Sequence, residues 1–550
     1  MSDKTEKSRF IQGTMKILET KRVTWEALWQ EVADFIVPLR EDIQGNAVPG
    51  SKFGKRIFDG TAVAAAKLQA DGFHGHLVSP ATQWFGLDMD DDDLNNYDEV
   101  RVWLQTAAAA MYREFRNSSF YNEIWMYLYD GITIGTATQY IGDDIATGRI
   151  LFETIHPGEA YLEEDGNGDV DTVFRKITLT ARQAISKFGA ENVGQSTRDI
   201  AKLDPFKSEL WVHAVFPREI YNRDSRLARN KKYASIWYKY KDGHIAKEGG
   251  FDEFPYACWR YSKTRREVYG RSPGMFAMSD IRASNVVAKT MLNSAHMSVE
   301  PPLDIPAEYI GKVDWKPGGR LYYANPTRKI TPAFTGINFP VGIEMQAELK
   351  RAVEQHFNVD FFLMLSRAER QMTAVEVMER MGEKSALLGA TVGRLTSEAL
   401  GKIIDRVFNI MLRQGKLPPI PPILAMSGGA GISVNYLSPL AQAQKRLFES
   451  YGIKAGLQAA APVFQLFPES MNVVDGLKSA RLLLRSYGYP EEALNSEEFI
   501  QNKMAQEKQA RDLAAANAQL NTAAKTVKEM SKYKPEAVDA LEEKLIGTGL

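Results

Sequence analysis

A single cysteine, Cys258, in 550 residues removes any internal disulfide and any metal site built from several thiolates. It stands among aromatics in FPYACWRY, the setting of a small buried hydrophobe rather than a reactive thiol. Long apolar runs are lacking as well: no window reaches the roughly 18 consecutive apolar residues of a membrane span. The opening residues, MSDKTEKSRF, have no apolar segment behind them, so no signal peptide is read and synthesis and folding in the cytoplasm are expected. A dominant charge is also missing. The 68 basic and 69 acidic side chains nearly cancel, which excludes a field that would pull the whole protein onto nucleic acid or an anionic membrane. The balance does not exclude a conduit for DNA, because many phosphate contacts would give tight, salt-sensitive binding and hinder sliding.

Catalytic chemistry is scarce too. The nearest approach to a P-loop, GNAVPGSK over Gly45 to Lys52, has Ser before Lys where a glycine is needed, and lacks the hydroxyl after Lys that would hold magnesium. A motor ATPase is therefore rejected. No HExxH helix is present, and nothing is read as a nucleophile elbow. His74 and His76, with Asp88 and Asp90 to Asp93 nearby, offer imidazole and carboxylate. An acidic linker favouring the N-terminus of a helix that starts near Asp98 is the preferred reading. Glu163, Asp165, Asn167 and Gly168 imitate the early positions of a calcium loop, but Phe174 stands where a bidentate Glu is required, so a hairpin turn is expected. No cofactor and no metal is expected.

What is present is 44% apolar residues, enough for a sizeable core, and an uneven distribution of tryptophan, all nine lying at or before Trp315. Helical patterns run from Ser8 to Val37, from about Gly60 to Gly72, over Val100 to Phe115 and over Tyr121 to Ile132. From Gly148 the period shifts toward two. Strands are expected through Thr180 and again at Leu210 to Phe216 and Ile236 to Tyr240, with a helix over Thr180 to Phe188 between them and a tight turn at Asp242-Gly243. A later strand is read at Ile432 to Tyr436. Ser438 with Pro439 starts a further helical region, expected to break at Pro462, Pro468 and Pro490. Residues 496 to about 532, rich in Ala, Gln and Lys, form a helix poorly equipped to bury itself alone.

The most informative stretch runs from Tyr269 to Leu417. Ile281, Asn285, Ala288, Leu292, Ala295 and Val299 recur at helical spacing between Asp280 and Val299. Seven of the 24 prolines then fall between Pro301 and Pro340 and predict a compact insertion of short strands and turns. A second helix (about Gly342 to Phe357), an apolar break at residues 361–365 and a long third helix follow before Pro418. The third helix carries a stripe of Leu388, Val392, Leu395, Ala399, Ile403, Val407 and Ile410, and Gly382, Gly389, Gly393 and Gly401 predict a kink in it. Small residues on the first helix, among them Ala283, Ser284, Ala288 and Ala295, permit close approach of neighbouring helices.

The blocks YGRSPGMFAMSDIRASNVVAKTMLNSAHMSVEPPL, MTAVEVMERMGEKSALLGATVGRLTSEALGKIIDRVFNIMLRQGKLPPIPP and NYLSPLAQAQKR, with IFDGTA and SPATQWFGL before them, resemble the portal proteins, or head-to-tail connectors, of short-tailed bacteriophages. The resemblance implies an α+β, mainly helical subunit assembling as a ring: a wing over 1–275, stem helices over 276–299 and 341–357, a clip over 300–340, and a tunnel loop over 358–372. It further implies a long kinked helix over 373–415, a strand completing the wing within 416–437, and a helical crown over 438–550. As implied function, a dodecamer at one capsid vertex passes genome DNA inward and out again. A terminase ATPase, a tail adaptor, and capsid and scaffolding proteins are its partners, no membrane is involved, and assembly occurs in the host cytoplasm. Read onto that frame, Lys289, Lys350, Arg351, Arg367 and Arg370 are the candidates to face DNA without sequence preference. Lys312, Lys316, Arg320, Arg328 and Lys329 are candidates for partner contact at the clip. Two other classes remain open on the residues alone: an enzyme with an unrecognised site, for instance a metal-dependent nuclease using the Asp88 to Asp93 cluster with magnesium, and a capsid or scaffold component without a channel.

Overall fold

The computed structural model describes residues 2–40, 42–44, 50, 54–144, 148–222, 225, 227–300, 302–305, 330–332, 339–366, 388–426, 431–437, 450–486, 494–495 and 497–530. The chain opens with a 34-residue helix, α1 (Ser2–Phe35), whose inner face serves two cores. Helix α2 (Thr61–Leu77) leads to strand β1 (Phe85–Met89), and α3 (Asp98–Asn117) and α4 (Phe120–Thr133) follow. Then come β2 (Thr136–Asp144), β3 (Arg149–Ile155), β4 (Ala160–Glu164), β5 (Val170–Thr180), α5 (Ala181–Phe188) and α6 (Gln195–Leu203). The first half closes with β6 (Ser208–Pro217), β7 (Tyr233–Lys239), β8 (Ile245–Phe251) and β9 (Tyr256–Arg260).

After Arg260 helices dominate: α7 (Pro273–Phe276), α8 (Met278–Val299), α9 (Phe339–His356) and α10 (Val359–Ser366), with β10 (Leu303–Asp304) and β11 (Thr331–Pro332) between α8 and α9. Next are α11 (Gly389–Arg394), a π-helical turn over Leu395–Leu400, α12 (Gly401–Arg413), α13 (Pro422–Met426) and β12 (Ile432–Tyr436). The described chain ends in α14 (Ser450–Leu466), α15 (Gly476–Ser486) and α16 (Glu497–Met530).

The fold is α+β and mainly helical, as expected. Strands β4 to β8 form an antiparallel meander in sequence order, and β3-β2-β9 form a second sheet. The late strand at Ile432 to Tyr436 pairs antiparallel with β1, from Phe85↔Tyr436 to Met89↔Ile432, joining segments about 350 residues apart. The turn between β4 and β5 is the hairpin its sequence implied: the Asp165 carboxylate accepts from the amides of Asn167 and Asp169, both at 2.9 Å, and Gly168 takes φ +89°. The outer edge of β3 is blocked by helix side chains. Ser119 accepts from the Phe152 amide (3.2 Å), and Glu123 accepts from the Thr154 amide (2.8 Å).

The main core gathers Trp29, Phe73, Trp84, Phe115, Phe120, Tyr127, Trp259 and Phe357 with the whole predicted stripe from Leu388 to Ile410, every member of which is buried. Cys258 is buried too, and its burial pushes the thiol up to about 12. Within the third helix a π-helical turn over Leu395–Leu400 separates α11 from α12. Pro462 does not break the chain as expected: it lies inside α14, where flanking alanines sustain the helix around the lost hydrogen bond. Pro468 does begin a new 3₁₀ turn. The expected cap at Ser438 and the break at Pro490 lie outside the described residues.

His213 sits in the middle of the β5-β6-β7 face, stacked on Trp237 (centroids 4.3 Å apart) and hydrogen-bonded to Tyr256 (2.8 Å) and Ser235 (2.9 Å). Burial, reinforced by Lys187 and Arg175, pushes its pKa well below 6.5. The unfolded chain therefore binds a proton that the folded chain refuses. Stability is lost as pH falls below about 6.5, by about 1.4 kcal/mol per pH unit for one such histidine. Over part of that range Asp130, raised to about 6 by burial against the opposing pull of Arg40, takes up a proton on folding and offsets the loss. Comparing melting temperatures of the parent and His213→Phe from pH 7.5 to 5 isolates the histidine: the variant's curve should be flatter, and parallel curves would refute the assignment.

Candidate functional site

Helices α8 and α9 form an antiparallel pair. His356 near the end of α9 lies 3.7 Å from Asp280 at the start of α8, and at the other end Gly342 packs so closely on Met291 that an added Cβ would stand 3.3 Å from its sulfur. The pair is fastened to the body at its base. The Asn285 side-chain oxygen accepts from the amides of Phe58 (2.8 Å) and Asp59 (3.2 Å), while its nitrogen donates to the Ile281 carbonyl (2.9 Å). Asp59, just before α2, accepts from Ser284 and from the Thr61 hydroxyl (2.7 Å), and Lys350 on α9 lies 3.8 Å away. Burial acts to raise the Asp59 pKa, but the hydrogen bonds from Ser284 and Thr61 and the Lys350 charge outweigh it and hold the carboxylate below its ordinary range. One carboxylate thus ties α2, α8 and α9 together. Arg282 adds a contact from α8 to Glu31 of α1 at 3.2 Å.

Away from this base the pair is bare. On α8 the buried positions are Met278, Ile281, Ser284 and Asn285, all in its first turns. Of the predicted stripe, Leu292 and Val299 are 51% and 81% exposed, and on α9 Val341, Ile343 and Met345 are all more than half exposed. Within a single chain the apolar positions beyond the first turns of α8 are thus left largely uncovered. The spacing identified the helix, but only its first turns have anything to bury against.

The expected apolar break after α9 is a helix. Phe357 and Val359 are buried on either side of Asn358, which takes φ +52° and turns the chain, and Phe361 and Phe362 of α10 then enter the main core. Consecutive large apolar residues gave no amphipathic pattern because α10 is short and both phenylalanines are enclosed. Of the stretch expected as a tunnel loop, residues 359–366 are therefore helical, and 367–372 lie outside the described residues.

The sequence candidates fare differently. Lys289 is exposed with its ammonium over the Phe58 ring at 5.3 Å. Lys350 is 41% exposed and leans toward Asp59. Arg351 is exposed and makes no ion pair with a described residue. The structure brings these three onto the α8–α9 pair. Arg367, Arg370, Lys312, Lys316, Arg320, Arg328 and Lys329 lie outside the described residues. Among the described residues no three His, Cys, Asp or Glu side chains gather where a metal ion could be held. His74 and His76 sit on α2, each with its pKa lowered by burial. Gly270-Arg271-Ser272-Pro273-Gly274 does satisfy the spacing of a nucleophile elbow, contrary to the sequence reading. Ser272 is fully buried, however, and its hydroxyl caps α7 by accepting from the Met275 amide at 3.0 Å, which is a structural duty.

The family model for bacteriophage head to tail connecting protein matches residues 9–494. The chain belongs to that family. The connector is also similar over nearly its full length to a portal protein of Salmonella phage epsilon15, 29% identical across 98% of both chains. A probable portal protein of Bordetella phage BPP-1 is 27% identical to it across 96% of both. What sequence reasoning missed in this connector is the Asp59 tether. The IFDGTA block contains it, but nothing in linear spacing says that Asp59 meets Ser284 and Lys350, more than 200 residues away.

Proposed function

We propose that the connector is a portal subunit, of which many copies, twelve in the virion, close into a ring at one vertex of the phage head. Genome DNA passes through the centre, driven inward by a separate terminase, and the ring later binds a tail adaptor. In this reading residues 1–275 with β12 are the wing, α8 and α9 the stem, residues 300–340 the clip and the C-terminal helices the crown, seated among capsid and scaffolding proteins. The observation that carries it is the α8–α9 pair, tethered at one end by Asp59 and Asn285, with apolar side chains uncovered along the rest. Helices left bare in one chain are covered when identical helices stand beside them. Helix α16 fits the same logic: Phe499, Met504, Leu513 and Leu520 are all more than half exposed. Negative-stain microscopy of the purified protein tests the reading directly, since it requires annular particles with a central hole. Uniformly solid particles would refute it.

Within that ring Lys289, Lys350 and Arg351 are the cations we place toward DNA, and Arg367 and Arg370 keep the same role as a proposal. Lys312, Lys316, Arg320, Arg328 and Lys329 remain proposed contacts for the adaptor or terminase. Weak contact from separate cations suits a duplex that must slide. Reversing Lys350 and Arg351 to Glu should cut the yield of DNA-filled heads by about tenfold while rings still form. Because a Glu at 350 would face Asp59, Lys350→Gln with Arg351→Gln serves as the control for local stability. Full heads from the reversed variant would remove these residues from the channel.

A further inference from the structure

Strands β6 and β7 are joined through residues 218–232, of which 218–222, 225 and 227–232 are described, and hydrogen bonds tie those described residues together. The Arg218 amide donates to the Lys232 carbonyl and the Asn222 amide to the Asn230 carbonyl, both at 2.8 Å, continuing the hairpin beyond the sheet. The Asn230 side chain donates to Ser225 (3.0 Å), and at the base Arg218 reaches the Gly249 carbonyl (2.9 Å) while Lys231 pairs with Asp252 (2.9 Å). Beyond the base the finger displays Ile220, 90% exposed, and Leu227, 53% exposed. Arg229 and Lys232 are exposed beside them, and neither pairs with a carboxylate among the described residues. Large apolar side chains held in water forgo the gain that burial would bring. Such a finger suits a partner both acidic and apolar.

A surface of that chemistry occurs on the same chain. Asp90 to Asp93 are all exposed, Asp91, Asp92 and Asp93 pair with no cation among the described residues, and Tyr97 (51% exposed) and Val102 (59% exposed) lie just beyond. The two surfaces flank α12. On one side Glu253, next to the finger's anchor Asp252, receives Arg406 (2.7 Å) and Arg413 (2.6 Å). On the other side Trp103 of α3, which follows the acidic run, packs edge-on against Phe408 of α12 (centroids 6.2 Å apart), and the Asp90 charge adds to burial in raising the Asp405 pKa. Consecutive helix residues point about 100° apart, so finger and acidic run occupy different flanks of one helix. A ring closed by rotation needs two unlike, complementary patches on each subunit.

We propose that the finger of one copy docks on the acidic run of the next, Ile220 and Leu227 packing near Tyr97 and Val102 while Arg229 and Lys232 meet Asp91 and Asp92. This rests on the ring reading and names the contact that closes it. The test uses the full chain in three variants: Arg229→Glu with Lys232→Glu, Asp91→Lys with Asp92→Lys, and all four together. Melting temperature checks that each is folded, and ring fraction is read by native mass spectrometry and microscopy. Each double reversal should lower ring yield by about tenfold or more relative to the parent, with a loss that shrinks as salt screens the reversed charges, and the fourfold variant should recover most of it. Rings from both double variants at parental yield would overturn the proposal. So would failure of the fourfold variant to recover, or normal rings that merely fail to enter heads, which would make a shell protein the finger's partner. A parent protein that never forms rings would fail the portal reading itself, an outcome visible without any variant.

Discussion

Replacing Glu398 by alanine should lower the unfolding free energy of the connector by about 3–5 kcal/mol, the usual cost of removing one partner of a buried ion pair. Glu398 lies in the π-helical turn, and its carboxylate accepts from the Arg260 backbone amide (3.1 Å), Nε (3.1 Å) and Nη2 (2.9 Å). Arg260 is 2% exposed and also reaches Glu164 and the Gly168 carbonyl (3.0 Å). A regular α-helix would aim position 398 elsewhere. The wider turn points it at β9, where it also satisfies an amide that has no strand partner on that side. Removing the carboxylate leaves that amide and a guanidinium buried with fewer acceptors, whereas Glu398→Gln keeps an acceptor and should lose less. Denaturant unfolding at fixed protein concentration measures this, because assembly adds to apparent stability. A loss below about 1 kcal/mol would mean that water replaces the carboxylate and that the turn is held by packing alone.

That turn also marks how far a linear reading reaches. Stripe residues Leu388 to Ile410 were legible because a helix with one buried face repeats every three or four residues, and all of them are buried. The same spacing cannot reveal a π turn, since one extra residue shifts the phase without altering composition. Strand β9 went unread because all five of its residues are buried, which removes the alternation that betrays a half-exposed strand. Strand β2, buried along most of its length, was hidden for the same reason. The pairing of β12 with β1 was anticipated as a strand returning to the N-terminal part, but the partner came only with the structure. At the site, the two helices were legible from spacing, and with them the position of Lys289, Lys350 and Arg351 on the pair. The Asp59 tether was not, because tertiary hydrogen bonds leave no period in a sequence.

The docking of α10 yields the second large effect. Gly72 on α2 faces the Phe362 ring so closely that an added Cβ would stand 2.1 Å from its Cδ1, while Phe73 meets the same ring edge-on at 5.7 Å between centroids. Gly72→Ala must therefore displace Phe362, and overpacking of this kind costs about 1–3 kcal/mol. Phe362→Ala alone empties the space instead, at about 3–5 kcal/mol. The two changes share one volume, so their sum should overstate the double variant's loss by about 1 kcal/mol or more, because the new methyl enters space the ring has left. Thermal unfolding of the four proteins gives the cycle. Strict additivity would show that Phe362 is not seated against α2 in solution. The consequence reaches the stem, since α10 follows α9 after the single turn at Asn358, and whatever fixes α10 fixes where α9 re-enters the body. With Asp59 holding the α8–α9 pair just ahead of α2 and Phe362 held beside Gly72 toward the helix's other end, α2 acts as the bar to which the proposed stem is fastened at two points.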